Sequence, residues 1–254
     1  MSNITTSTTG SVLTIAFNRP EKMNALTRDM YADLARALNE AAGDFAIRAV
    51  LLTSTGDHFT AGNDIRDFME HPPTTQDSTV AAFLGAILEF PKPLIAAVKG
   101  NAVGVGTTML LHCDVVVADP GARFSMPFAS LGLVPEAGSS LLFPALVGYQ
   151  RAAKIFMTGE SFSAVEAKEM GLVAEISTDS HGAAMAIATQ IAAQPPTAII
   201  NTKALIKASK HDAVAAVMKA EFALFSLALT SDEAMEAFMN FMAKKAADKE
   251  KDGK

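Results

Sequence analysis

LIAAVKGNAVGVG, residues 94–106, joins a run of apolar residues to a turn that carries three glycines. The run Leu94 to Val98 is too short for an ordinary helix and has no polar face, which predicts a strand buried on both sides. Gly100, Gly104 and Gly106 then suit a strand-to-helix turn where the backbone approaches a ligand closely. A dinucleotide fingerprint is the weaker reading, because Gly104-Val105-Gly106 lacks the third glycine and the acidic ribose partner. The free N–H groups at such a helix start are better matched to a developing negative oxygen.

The same grammar recurs on both sides of this stretch. SVLTIAF, residues 11–17, predicts a strand ended by Asn18-Arg19-Pro20, and the next helix is capped by Thr27, with Met30, Leu34 and Leu38 on one face. AVLLT (49–53) and DVVVA (114–118) read as further short strands, and HFTAGNDI (58–65) as a second glycine-containing turn. Strands alternating with helices predict an α/β fold. Beyond about residue 150 the pattern turns helical through AAKIFMTGE, SAVEAKEMG, GAAMAIATQIAAQ, TAIINTKALIKAS and residues 212–247. Residues 1–195 are assigned to the core and 196–254 to a C-terminal helical region of the same domain. The phenylalanines there, Phe222, Phe225, Phe238 and Phe241, either complete the core or face another subunit.

Composition excludes several classes of function. Half of the 254 residues are hydrophobic, enough for a sizeable core. The net charge is −6 and acids interrupt the terminal lysines of KKAADKEKDGK, so there is no basic face for nucleic acid. Cys113 is the only cysteine, which rules out an intramolecular disulfide and suits a small core residue. His58 and His112 have no partner at metal-ligand spacing, and no metal site is expected. No apolar run reaches the ~18 residues of a membrane span. MSNITTSTTG has no leader pattern and KDGK is no peroxisomal address, so a cytoplasmic protein is expected.

One carboxylate stands alone. Between Arg123 and Arg151 the only charged residue is Glu136, in Pro135-Glu136-Ala137-Gly138-Ser139-Ser140. It reads either as an acid at a helix start, where Pro135 and the helix dipole favour it, or as a catalytic group. The apolar neighbours Leu131, Leu133, Val134, Leu141, Leu142 and Phe143 are expected to desolvate it and raise its pKa. Ser139 and Ser140 suit turn hydrogen bonds rather than nucleophilic attack.

NRPEKMNAL, FTAGNDI, AVKGNAVGVG, CDVVVADPGARFSMP, LGLVPEAGSS and TGESFSAVEAKEMGLV together resemble, in order and spacing, the crotonase or enoyl-CoA hydratase/isomerase superfamily. The resemblance implies a spiral of ββα turns with C-terminal helices that mediate trimerisation, as a homotrimer or dimer of trimers, which tips the last helices toward an interface. It implies an acyl-CoA thioester as substrate, with no separate cofactor, and an oxyanion hole from the backbone N–H groups of Asn63 and Val105. It places coenzyme A along Lys22, Met23 and Ala25, and along Ala61, Asp64, Ile65 and Arg66. Asp64 alternatively stabilises its own turn.

The resemblance also exposes a departure. The two glutamates with which the family's hydratases add water fall on Thr108 and Phe128, and neither residue can act as a carboxylate base. Glu136 sits in a Pro-Glu-x-x-Ser-Ser pattern similar to that of the Δ3,Δ2-enoyl-CoA isomerases, which implies a single base that moves a proton from C2 to C4. The alternatives are a hydratase with another acid, an isomerase of aromatic degradation or other CoA-thioester enzyme, and a non-catalytic acyl-CoA-binding subunit.

Overall fold

The computed structural model describes the backbone of residues 2–252 and the side chains of residues 2–243. Met1, and Gly253 and Lys254 at the end of the region assigned to C-terminal helices, lie outside the described residues.

The chain opens with a hairpin, β1 (Ile4–Thr9) antiparallel to β2 (Val12–Phe17), turning through Gly10 at φ 60. β1 was not expected: ITTSTT offers no alternating apolar face, and only Ile4 of it is buried, as an edge strand allows. α1 (Arg28–Gly43) starts where Thr27 accepts the Met30 N–H at 3.4 Å, a cap worth about 1 kcal/mol. Met30, Leu34 and Leu38 are fully buried, as their spacing requires.

β3 (Ala49–Ser54) lies parallel to β2, and α2 (Ile65–Glu70) and α3 (Thr79–Glu89) lead to β4 (Leu94–Val98), which is buried throughout. From there the chain lays one strand in each of two sheets on every circuit. β4 is followed by β5 (Asn101–Val103) and α4 (Val105–Thr108), then β6 (Val115–Ala118) by β7 (Arg123–Ser125). The larger sheet has the order β1-β2-β3-β4-β6-β9 and is parallel beyond the hairpin; the smaller is β5-β7-β8. This is the spiral of ββα turns that the resemblance implies.

α5 (Ser139–Val147), α6 (Tyr149–Thr158), β8 (Phe162–Ser163), α7 (Ala164–Glu169), β9 (Glu175–Ile176) and α8 (Ser180–Ala192) complete the core. β8 and β9 interrupt a stretch that composition makes wholly helical, because strands of two residues leave no periodic signal. The period of two along each strand divides the large sheet's side chains. Val50, Leu52 and Ala96 face the main core, whereas Ala49, Leu51, Ile95 and Ala97 pack against Ala184, Ala188 and Ala192 of α8. The alanines let α8 lie close on the sheet, so it is a core helix.

α9 (Pro196–Ala208), α10 (His211–Leu229) and α11 (Asp232–Asp252) follow. Phe225 and Phe238 are buried in the core, as the first reading of these phenylalanines expects, while Leu205, Ile206, Leu224, Leu227, Met239 and Phe241 are exposed. α9 is pinned by Lys203, whose Nζ donates to the Lys92 carbonyl and to Asp114 Oδ2, both at 2.7 Å. Lys203→Met leaves Asp114 with only the Leu94 amide, and the expected loss is about 2 kcal/mol, seen as a lower urea midpoint at unchanged slope. An unchanged midpoint would show that the pair contributes nothing. Among the described residues no single helix is long and apolar enough to cross a membrane.

Candidate active site

The turn after β2 is built by a residue that the sequence reading passed over. Asn24 is fully buried with φ 55; its Oδ1 accepts the Arg19 amide at 2.7 Å and its Nδ2 donates to the carbonyls of Thr55 and His58. Asparagine tolerates this left-handed backbone better than most residues, and Met23 beside it shares it at φ 50. The Thr60 hydroxyl donates to the Asn24 carbonyl at 2.7 Å and the Ala61 amide to the Met23 carbonyl at 2.9 Å. Met23 and Ala25 are thereby set alongside Ala61 to Asp64. Lys22 and Arg66 are exposed on this strip, Ile65 and Ala61 half-buried, and Ala25 buried.

Two glycine turns meet at the strip. A Cβ on Gly62 would lie 2.8 Å from the Val103 carbonyl oxygen, and one on Gly106 only 2.4 Å from Thr60 Cγ2. Segments 60–63 and 103–106 are therefore in direct backbone contact, which only glycine permits. Asn63 forms a parallel bridge with Leu26 through the amides of Leu26 and Asp64, both at 2.8 Å, so its own N–H points off the other edge. Val105 is the first residue of α4, where an N–H has no partner within the helix. Among the described residues neither N–H meets an acceptor in the chain.

Asp64 caps α2, its Oδ1 accepting the Arg66 and Asp67 amides and its Oδ2 the Arg19 guanidinium at 2.7 Å. Burial opposes its ionisation, but Arg19 and the two amides outweigh that and hold its pKa below the ordinary value. It is a turn-stabilising acid at the flank of the strip. The Tyr31 hydroxyl donates to the Asn63 side chain, fixing that residue from α1.

Glu136 lies on the loop that leads into α5. It is buried, and its Oε1 accepts the Thr108 hydroxyl at 2.5 Å. Thr108 stands three residues after Val105, about 4.5 Å along the helix axis. One short helix thus carries a free amide at its start and a contact to the carboxylate at its end. Desolvation pushes the Glu136 pKa up to about 8; the Thr108 hydrogen bond opposes this and the charge of Glu221 adds to it. Of the apolar neighbours of Glu136 in sequence, Leu133 and Phe143 are buried and Leu131, Val134, Leu141 and Leu142 half-buried. Phe128 is buried in the hydrophobic core.

The loop's path is strained and supported. Ala137 has φ 60, unusual for a residue with a side chain, and Gly138 φ 71. The Ala137 carbonyl accepts from His112 Nε2 at 2.7 Å. Burial depresses the His112 pKa to about 4, so the ring is neutral and must carry its proton on Nε2. Burial pushes the Cys113 thiol up to about 12, which removes it as a nucleophile. Among the described residues no cluster of His, Cys, Asp or Glu could hold a metal ion.

Glu136 is not the acid at a helix start. α5 begins at Ser139, and the carboxylate on its first amides is Glu221 from α10, accepting from Gly138 N at 2.6 Å and Ser140 N at 2.9 Å. Sequence reasoning missed Glu221, although a signal existed: it interrupts the stripe Val214, Met218, Phe225, Leu229 at helical spacing. An acid inside an apolar stripe needs a partner.

A family profile described as Enoyl-CoA hydratase/isomerase matches residues 7–251. Human enoyl-CoA delta isomerase 2 is 35% identical over 241 residues, 91% of this chain and 61% of that protein. The chain thus spans about three fifths of that relative's length. The 2,3-dehydroadipyl-CoA hydratase of Escherichia coli K12 is 33% identical over 98% of both chains. Among solved structures, that of Pseudomonas aeruginosa OdaA superposes with a TM-score of 0.92 at 44% identity, over 95% of this chain and 99% of that one.

Proposed function

The chain belongs to the enoyl-CoA hydratase/isomerase family, and from that premise we propose that it is an acyl-CoA double-bond isomerase, converting 3-enoyl-CoA to 2-enoyl-CoA. The observation that carries this reading is the contact between Thr108 and Glu136. Where a hydratase of the family places a glutamate, this chain has a hydroxyl that hydrogen-bonds the Glu136 carboxylate. Adding water calls for two groups facing that water, one to take its proton and one to deliver a proton to carbon. Moving a double bond calls for one.

In this scheme the thioester oxygen accepts the N–H groups of Asn63 and Val105, which acidifies C2. Glu136 takes a proton from C2; the electron pair of that C–H bond forms a C1–C2 enolate conjugated with the C3–C4 double bond, and the oxyanion hole holds the negative charge. Glu136 then returns the proton to C4, leaving the double bond between C2 and C3. A base toward so weakly acidic a carbon gains from a raised pKa. Neither a metal nor a redox group takes part. Lys22, Met23, Ala25, Ala61, Asp64, Ile65 and Arg66 form the strip for the coenzyme A moiety, with Lys22 and Arg66 beside phosphate. The exposed apolar faces of the last helices serve a homotrimer or dimer of trimers, and the enzyme is placed in the cytoplasm.

The test is to supply 3-enoyl-CoA and 2-enoyl-CoA separately and follow conjugated-thioester absorbance. New absorbance from the 3-enoyl substrate is expected. Loss of absorbance from the 2-enoyl substrate at a comparable rate would replace the reading by hydration, and silence with both despite measured binding would leave an acyl-CoA-binding subunit.

The pH profile follows from the carboxylate. Glu136 must be ionised to act, so kcat/KM is expected to rise with pH along a single limb near its free-enzyme pKa of about 8. Thr108→Val removes the hydrogen bond that favours the ionised form, and the limb should move to higher pH. A wild-type limb near the ordinary glutamate value would contradict the assignment. Lys22→Ala and Arg66→Ala should each raise KM by about threefold to tenfold with kcat unchanged; a KM equal to wild type for both removes them from the coenzyme A strip.

A further inference from the structure

The base-bearing loop is gripped by a residue from the C-terminal helical region. Glu221 of α10 is buried at 6% exposure, and its two oxygens are divided between the amides of Gly138 and Ser140, at 2.6 and 2.9 Å. These amides begin two residues after Glu136, where Ala137 and Gly138 both take left-handed backbone. A loop in that conformation keeps it only when its surroundings over-determine it. Two supports do so here: His112 donates to the Ala137 carbonyl and Glu221 accepts the next amide. Gly138 also packs on α10 directly, since a Cβ there would meet Val214 Cγ1 at 2.9 Å.

α10 reaches the other half of the site as well. Phe225, one turn beyond Glu221, stacks edge-on against Phe68 of α2, with ring centres 6.4 Å apart. α2 is capped by Asp64, the residue after Asn63. One face of α10 therefore touches both the loop of the base and the helix that follows the candidate oxyanion donor.

We propose that Glu221 is a positioning residue for Glu136: its bidentate grip on Gly138 and Ser140 sets where the catalytic carboxylate stands. The inference rests on the reading of Glu136 as the base. Among the described residues, the ionisable and hydrogen-bonding groups that act on or lie near Glu136 come from three helices and the segment before β6. Glu221 from α10 raises its pKa, Tyr31 from α1 lies within reach of its charge, Thr108 from α4 is a neutral donor, and His112 is neutral. α5 carries no charged side chain.

Glu221→Gln removes the charge and turns one acceptor oxygen into an N–H donor facing an amide. The expected result is a fall in the high-pH plateau of kcat by about tenfold, KM within about threefold, and a kcat/KM limb displaced to lower pH. A merely structural cap would lower thermal stability and leave the plateau unchanged. A folded Glu221→Gln chain with the wild-type plateau overturns the proposal. If that chain does not fold, Glu221→Asp decides: the charge stays and the reach shortens, so the limb should hold while the plateau falls, and a wild-type plateau overturns it. Glu136→Gln, assayed in parallel, separates the two levels. Full activity in that variant refutes the base itself, whereas loss there with unaltered Glu221 variants refutes only the positioning role.

Discussion

Glu136→Gln is expected to lower the rate of 3-enoyl-CoA isomerisation by about a thousandfold to ten-thousandfold while making the protein more stable at alkaline pH. The loss follows from assigning both proton transfers to one carboxylate: a general base contributes about a hundredfold to ten-thousandfold, and here no second acid stands in reserve at Thr108 or Phe128. The gain in stability follows from burial. A glutamate whose folded pKa lies above its unfolded value loses stability between the two as pH rises. For Glu136 that window runs from 4.5 to about 8. Below it both chains carry a neutral side chain and should melt alike. Above it only the wild type must ionise a buried group or take up a proton to fold, at a cost on the order of 4 kcal/mol. Melting curves at pH 3.5 and pH 9 read this directly. The variant should exceed the wild type by roughly 5–10 °C at pH 9 alone. Activity within tenfold of wild type would remove the catalytic assignment, and equal melting at both pH values would mean that Glu136 is not held in an apolar site.

That trade between stability and activity explains which parts of the molecule were legible in its sequence. Leu94 to Val98 and the stripe Met30, Leu34, Leu38 could be read because burial imposes a period on apolar residues, and each occupies the predicted position. β1 could not, since the backbone of an edge strand pairs whatever side chains it carries into solvent. Glu136 was conspicuous because a lone charge in an uncharged segment breaks the rule for a core. Glu221 breaks the same rule, yet its partners lie 81 and 83 residues away in sequence. Asn24 was silent for another reason. Two of its three side-chain hydrogen bonds exist only after the turn closes on residues 55–58.

Side-chain identity at Asn63 and Val105 has little bearing on an oxyanion hole made of main chain, so the decisive substitution is at a glycine beside it. Gly62→Ala is expected to lower kcat by about a hundredfold with KM changed less than about threefold. Gly62 has φ 81, a region disfavoured for alanine, and the added Cβ would stand 2.8 Å from the Val103 carbonyl oxygen. Backbone must yield, either at 62–63 or at 103–105, and each displacement carries one N–H donor away from the other. The donors act on charge that develops only as the proton leaves C2, so their separation penalises the transition state more than the bound thioester. Gly43→Ala is the control: at the end of α1 its Cβ meets nothing within 4 Å, and activity should remain that of the wild type. Equal kcat for Gly62→Ala and wild type would place the oxyanion donors elsewhere. A KM raised in proportion with kcat unchanged would assign segment 60–63 to ground-state binding of the thioester and not to stabilising its enolate.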